Sequence, residues 1–196
     1  MCIRDRYHTE QAKSSVSGSD ADMAGVRAEY SYAAAMAQCY HVLKNEAGAA
    51  VYLKQAQTAY QTAVRSRSRT DMAVSPEQYM AAAALFNVTG SYSYHQVIKQ
   101  YEAAEDTAEG FWGDLLYLTS LQRVDTKLCE QQMNRLLKEC GELSDNVFSQ
   151  HAIESMADSL TAMLKLAVAD NTLVSLEYRN ACKICLLYTS DAADDM

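Results

Sequence analysis

The sequence predicts an all-α chain of helical hairpins, and three observations carry that prediction. Apolar residues recur at three- and four-residue intervals through most of residues 20–184, the period of a helix face. No stretch alternates apolar and polar residues as a half-buried strand does. The helical segments follow one another through short connections, which favours antiparallel neighbours.

At 196 residues and 49% hydrophobic, the chain is long enough for one domain with a sizeable core. Seventeen Lys and Arg stand against 25 Asp and Glu, a net charge of −8. Such a balance repels a phosphate backbone, so neither nucleic acid nor anionic lipid is an expected partner. The most apolar runs, such as Met80 to Phe86, fall far short of the ~20 residues of a membrane-spanning helix.

The two ends are related through the genetic code. Met1-Cys2-Ile3-Arg4-Asp5 and Cys185-Leu186-Leu187-Tyr188-Thr189-Ser190 are what one short DNA encodes when read on opposite strands. That DNA resembles a transposase adapter used in preparing sequencing libraries. Residues 1–6 and 185–196 are therefore read as adapter-derived and set aside. Tyr7 to Ile184 then reads as an internal fragment. Setting the ends aside leaves the charge balance acidic and four cysteines: Cys39, Cys129, Cys140 and Cys182. The Cys182-x-x-Cys185 pair loses one member, and with it the one metal-like or redox-like spacing.

Residues 7–19 are polar and serine-rich and are expected to form a loop. The alanine-crowded stretch 22–44 (Ala33, Ala34, Ala35, Ala37) is expected to be a buried helix, because alanine combines high helix propensity with a small side chain. A second helix, near 47–65, places Leu53, Ala56, Tyr60, Ala63 and Val64 on one face. Ser75-Pro76-Glu77-Gln78 is the sharpest start signal, with serine as cap, proline in the first turn and Gln78 completing a capping box. The helix begun there should stop at Gly90, which adopts the left-handed conformation readily. Further helices are predicted near 92–104, 108–121, 126–140, 150–169 and 173–184. Such a train of hairpins fits either an open helical-repeat solenoid or an arc of a closed toroid. A solenoid should show a fixed repeat, and none is visible.

The run from Pro76 to Gly90 resembles a segment of family 9 glycoside hydrolases, whose pattern is close to Asp-Glu-Leu-x-Trp-Ala-Ala-Ala-Glu-Leu-Tyr-x-Ala-Thr-Gly. Glu77, Ala81, Ala82, Ala83, Leu85, Thr89 and Gly90 match it without a gap. Upstream, Tyr32-Ala33-Ala34-Ala35-Met36-Ala37-Gln38 is similar to the family's Phe-Ala-Ala-Val-Met-Ala-Gln helix. Leu53, Ala56, Ala59, Tyr60 and Ala63 resemble its next helix. Trp112-Gly113 is similar to its Trp-Gly, and Tyr178 to Ile184 to the helix ahead of its downstream catalytic region. Pro76, Met80 and Ala84 replace the family's Asp, Trp and Glu, and residues 149–155 lack its Trp-Gly-Ser-Asn motif.

The resemblance implies part of an (α/α) six-hairpin toroid from a secreted enzyme that hydrolyses β-1,4-glucan with inversion. Inversion needs a carboxylate base and a carboxylic acid roughly 6.5–9.5 Å apart, with a water between them. In the family the base lies in an Asp-x-x-Asp motif upstream of this segment and the acid glutamate lies downstream, so no catalytic residue is expected here. Asp20-Ala21-Asp22 has the wrong spacing, and its Asp20 is read as a helix cap. The alternative to an enzyme fragment is a non-catalytic helical-repeat module that binds a protein.

Trp112 is the candidate substrate-binding residue. Its flat face suits a sugar ring, while a place in the core beside Phe111 is the competing role. His8, His41, His95 and His151 show no metal-ligand spacing, and no cofactor motif is present. Cys129 and Cys140, about 16 Å apart along one helix, are too distant to bridge and are expected to pack as apolar side chains. Met133, Met156 and Met163 are expected in the core. Neither a phosphate-binding glycine pattern around Gly90, Gly110 and Gly113 nor a Gly-x-Ser-x-Gly nucleophile motif appears.

Overall fold

The computed structural model describes residues 18–67, 73–101 and 107–145, together with 161, 163–165, 180 and 183. Its helices are α1 (Gly18–Leu43), α2 (Ala50–Ser66), α3 (Pro76–Thr89), α4 (Tyr92–Gln100), α5 (Ala108–Leu118) and α6 (Thr126–Asp145). No strand occurs among the described residues. The fold is all-α, as the periodicity predicts.

The helices pair in chain order as three antiparallel hairpins. In α1/α2, Tyr30 packs edge-on against Tyr60 while Tyr32 donates to Gln55 further along. In α3/α4, His95 stacks on Phe86 and Tyr101 stacks on Tyr79. In α5/α6, Asp125 meets Tyr117 and Arg135 meets Asp114. The first helices of the hairpins also form a layer of their own, since α3 packs against α1 on one side and α5 on the other. Alternation of inner and outer helices is the arrangement of a six-hairpin toroid.

Alanine makes that layer possible. Ala33, Ala37, Ala56, Ala63 and all of Ala81 to Ala84 are completely buried, so neighbouring backbones approach closely. Most of α3, from Gln78 to Asn87, is buried, as befits a helix with neighbours on every side. Tyrosines fill the space that alanines leave: Tyr30, Tyr79 and Tyr117 are among the largest fully buried side chains.

Local signals set the ends of α3. The Ser75 side chain accepts the Gln78 N–H at 3.2 Å, and Gly90 closes the helix at φ 65° with its N–H on the Phe86 carbonyl. The capping box is only half made, because the Gln78 side-chain oxygen accepts from Arg67 at 2.6 Å instead.

Elsewhere the boundaries move. Helix α1 begins at Gly18, inside the stretch expected to be a loop, and Asp20 lies in its first turn rather than before it. Helix α4 ends at Gln100, where Tyr101 turns extended and its ring stacks on Tyr79. Helix α6 continues to Asp145 through Gly141, beyond the expected end at residue 140. The predicted helices at 150–169 and 173–184 fall largely outside the described residues; 161, 163–165, 180 and 183 are helical. Among the described residues, no helix is long and apolar enough to cross a membrane.

Candidate functional site

A buried polar network joins α3, α5 and α6. The Tyr79 hydroxyl donates to Asp114 Oδ1 at 2.5 Å and accepts from Gln132 Nε2 at 2.7 Å. Arg135 grips the same carboxylate with two bonds, Nε to Oδ2 at 2.9 Å and Nη2 to Oδ1 at 2.7 Å. Tyr79, Asp114 and Gln132 are all buried, so each bond forms where water competes poorly. Burial, and then the Asp114 charge, push the Tyr79 hydroxyl well above its ordinary pKa. It therefore stays protonated and donating.

The network fixes what Asp114 can do. Both its oxygens are engaged by a guanidinium, a geometry that neutralises a carboxylate and orients it. A base for water activation needs a free oxygen facing substrate, so Asp114 serves to hold the helices. Glu77, at the start of α3, lies 3.6 Å from Arg27 of α1. Among the described residues, no group of three or more His, Cys, Asp or Glu could hold a metal ion.

A second junction centres on Tyr117. Its hydroxyl lies 2.8 Å from His95 Nε2 and accepts the Asp125 N–H at 2.7 Å. The Asp125 carboxylate caps α6 by accepting from Lys127 and Leu128 N–H groups and pairs with Lys99 at 2.6 Å.

Trp112, the candidate sugar platform, sits on α5 immediately before Gly113. It is half-buried against the core, with Phe111 edge-on at 5.6 Å and the Lys165 ammonium 5.1 Å from its ring centroid. Gly113 is required by the packing: a Cβ there would collide with the Tyr79 ring. His41 closes the last turn of α1 and His95 lies in α4; His8 and His151 lie outside the described residues. Cys129 is buried and free, and its burial pushes the thiol up to about 12. Met133 and Met163 are buried, whereas Met156 and the side chain of Cys140 lie outside what is described.

The sequence reading missed Tyr79, Asp114, Gln132 and Arg135. The available signals were an aspartate within the apolar run Phe111–Leu118 of α5 and the Gln132-x-x-Arg135 spacing, which puts two polar side chains on one face of α6. Neither indicated its partner.

No curated protein and no solved structure matches the chain. The family model described as glycosyl hydrolase family 9 matches residues 4–195. This favours the enzyme fragment over the repeat module and agrees with the paired helices and their inner layer. The chain belongs to glycosyl hydrolase family 9.

Proposed function

We propose that this chain is part of a catalytic domain that hydrolyses β-1,4-glucan with inversion outside the cell. Its base and acid carboxylates lie outside residues 7–184, and Trp112 offers its ring face to a sugar of the substrate. The family match carries this reading. It is supported by the engagement of Asp114, a deeply buried carboxylate, with Arg135 and Tyr79. The Lys165 side chain over Trp112 is exposed. A cation at such a site contributes about 0.5–1 kcal/mol, little enough for a pyranose to displace.

The test is reducing-end release from a soluble β-1,4-glucan by the purified chain. No release is expected, and turnover would place the catalytic pair within these residues. In an enzyme that supplies both carboxylates, Trp112→Ala should raise KM for oligosaccharides with little change in thermal midpoint. A large fall in midpoint with unchanged KM would assign Trp112 to the core.

A further inference from the structure

We propose that His95, Tyr117 and Asp125 form an acid-sensitive latch tying the α3/α4 hairpin to the connection between α5 and α6. The His95 ring stacks on Phe86 at 5.0 Å and on Tyr117 at 5.7 Å between centroids. Its Nε2 is 2.8 Å from the Tyr117 hydroxyl, which accepts the Asp125 N–H at 2.7 Å. One hydroxyl therefore joins a side chain of α4 to the backbone at the start of α6.

A hydroxyl has one proton to give and two lone pairs to share. With His95 neutral and its proton on Nδ1, the Tyr117 O–H donates to Nε2 while accepting from Asp125. Both partners are satisfied. Protonation of His95 turns Nε2 into a donor, so the hydroxyl must accept twice and its own proton loses its acceptor. The two lone pairs can take both donors, but a partly buried O–H stripped of its acceptor is costly, and the junction opens.

Two charged groups act on the ring, Lys99 and Asp125. Helix α4 supplies Lys99, and Tyr92 meets the ring edge-on at 6.4 Å. Among the described residues, helix α3 faces the ring with the uncharged Phe86, α5 contributes Tyr117, and the neutral Cys129 thiol of α6 lies near Tyr117. Lys99 and Asp125 oppose each other and are already paired at 2.6 Å. Partial burial, then Lys99, outweighs Asp125 and lowers the His95 pKa below its ordinary 6.5. The latch is thus fully closed above pH 6.5 and opens as pH falls through the lowered value.

Histidine-ring NMR on the whole chain, with amide exchange at Asp125 corrected for its intrinsic rate, tests the latch. The expected results are a His95 midpoint below 6.5, an unprotonated Nε2 in the neutral form, and Asp125 protection that falls over the same pH range. This local readout separates the latch from His41, whose pKa burial also lowers. Tyr117→Phe, which removes the hydroxyl bound to Nε2, should raise the His95 midpoint, because that bond favours the neutral ring. His95→Gln, which keeps an acceptor for the hydroxyl, should make Asp125 protection independent of pH in that range. A midpoint at or above 6.5, Asp125 protection that ignores the titration, or the same pH dependence in His95→Gln would overturn the proposal.

Discussion

The Tyr79 ring rests against the α-carbon of Gly113, and the two residues set how closely α3 approaches α5. The ring has no room to retreat. Its hydroxyl is held by Asp114 and Gln132, and its face is stacked on Tyr101 at 4.1 Å and 10°.

Gly113→Ala therefore sets two effects against each other. Alanine in a helix interior gains up to about 1 kcal/mol over glycine, whereas overpacking a fixed core costs about 1–3 kcal/mol. Because the contact is with a ring pinned at three places, overpacking should win. The expected outcome is a lower denaturation midpoint, checked by urea unfolding. An unchanged or higher midpoint would show that α3 and α5 separate freely.

Removing Arg135 should expose the cost of a buried charge. Arg135→Met takes the bidentate guanidinium from the buried Asp114 carboxylate, a change of the kind that costs about 3–5 kcal/mol. The guanidinium is itself about a third exposed, at 35%, so the loss should fall at or below the lower end. Pairing Arg135→Met with Asp114→Leu should recover much of the stability, since the buried carboxylate that lost its guanidinium is gone as well. A double-mutant cycle by chemical denaturation measures the coupling.

Gly90 occupies positive φ, and the Gln122 side chain lies where a Cβ would go. Gln122 also donates to the Asn87 carbonyl at 3.1 Å. Gly90→Ala should cost about 1–2 kcal/mol in left-handed strain, with a further loss if Gln122 is displaced. The thermal midpoint of the variant checks this.

Asp125 should stabilise the chain in a pH-dependent way. The Lys99 bond, and more weakly the α6 N–H groups, hold its carboxyl below the ordinary 3.8. A depressed carboxylate contributes stability that is present above the unfolded pKa and lost as pH falls through the folded one. Asp125→Ala should thus cost about 1 kcal/mol near neutrality, as a lost helix cap does. Denaturation curves of the two proteins should converge in strong acid.

What the sequence made legible follows from the range of the interactions involved. Ser75, Pro76 and Gly90 set the ends of α3 through contacts within four residues, so local chemistry was enough. The end of α4 depends on Tyr101 leaving the helix to stack on Tyr79, twenty-two positions earlier in the chain, and no local residue announces it. Helix α6 passes through Gly141 because no proline or turn cluster stops it. Family-like spacing around Ala81 to Gly90 and Trp112-Gly113 disclosed the family. The Asp114–Arg135 pair stayed hidden because a bond between residues 21 apart leaves no periodic trace.

Trp112, as the one tryptophan of the chain, gives the most direct measurement. Cellohexaose titrated into the purified chain should shift tryptophan emission saturably while no new reducing ends appear in the same mixture. Release of new reducing ends, or emission that stays unchanged throughout the titration, would contradict the assignment of sugar contact to this segment and of bond cleavage to residues beyond it.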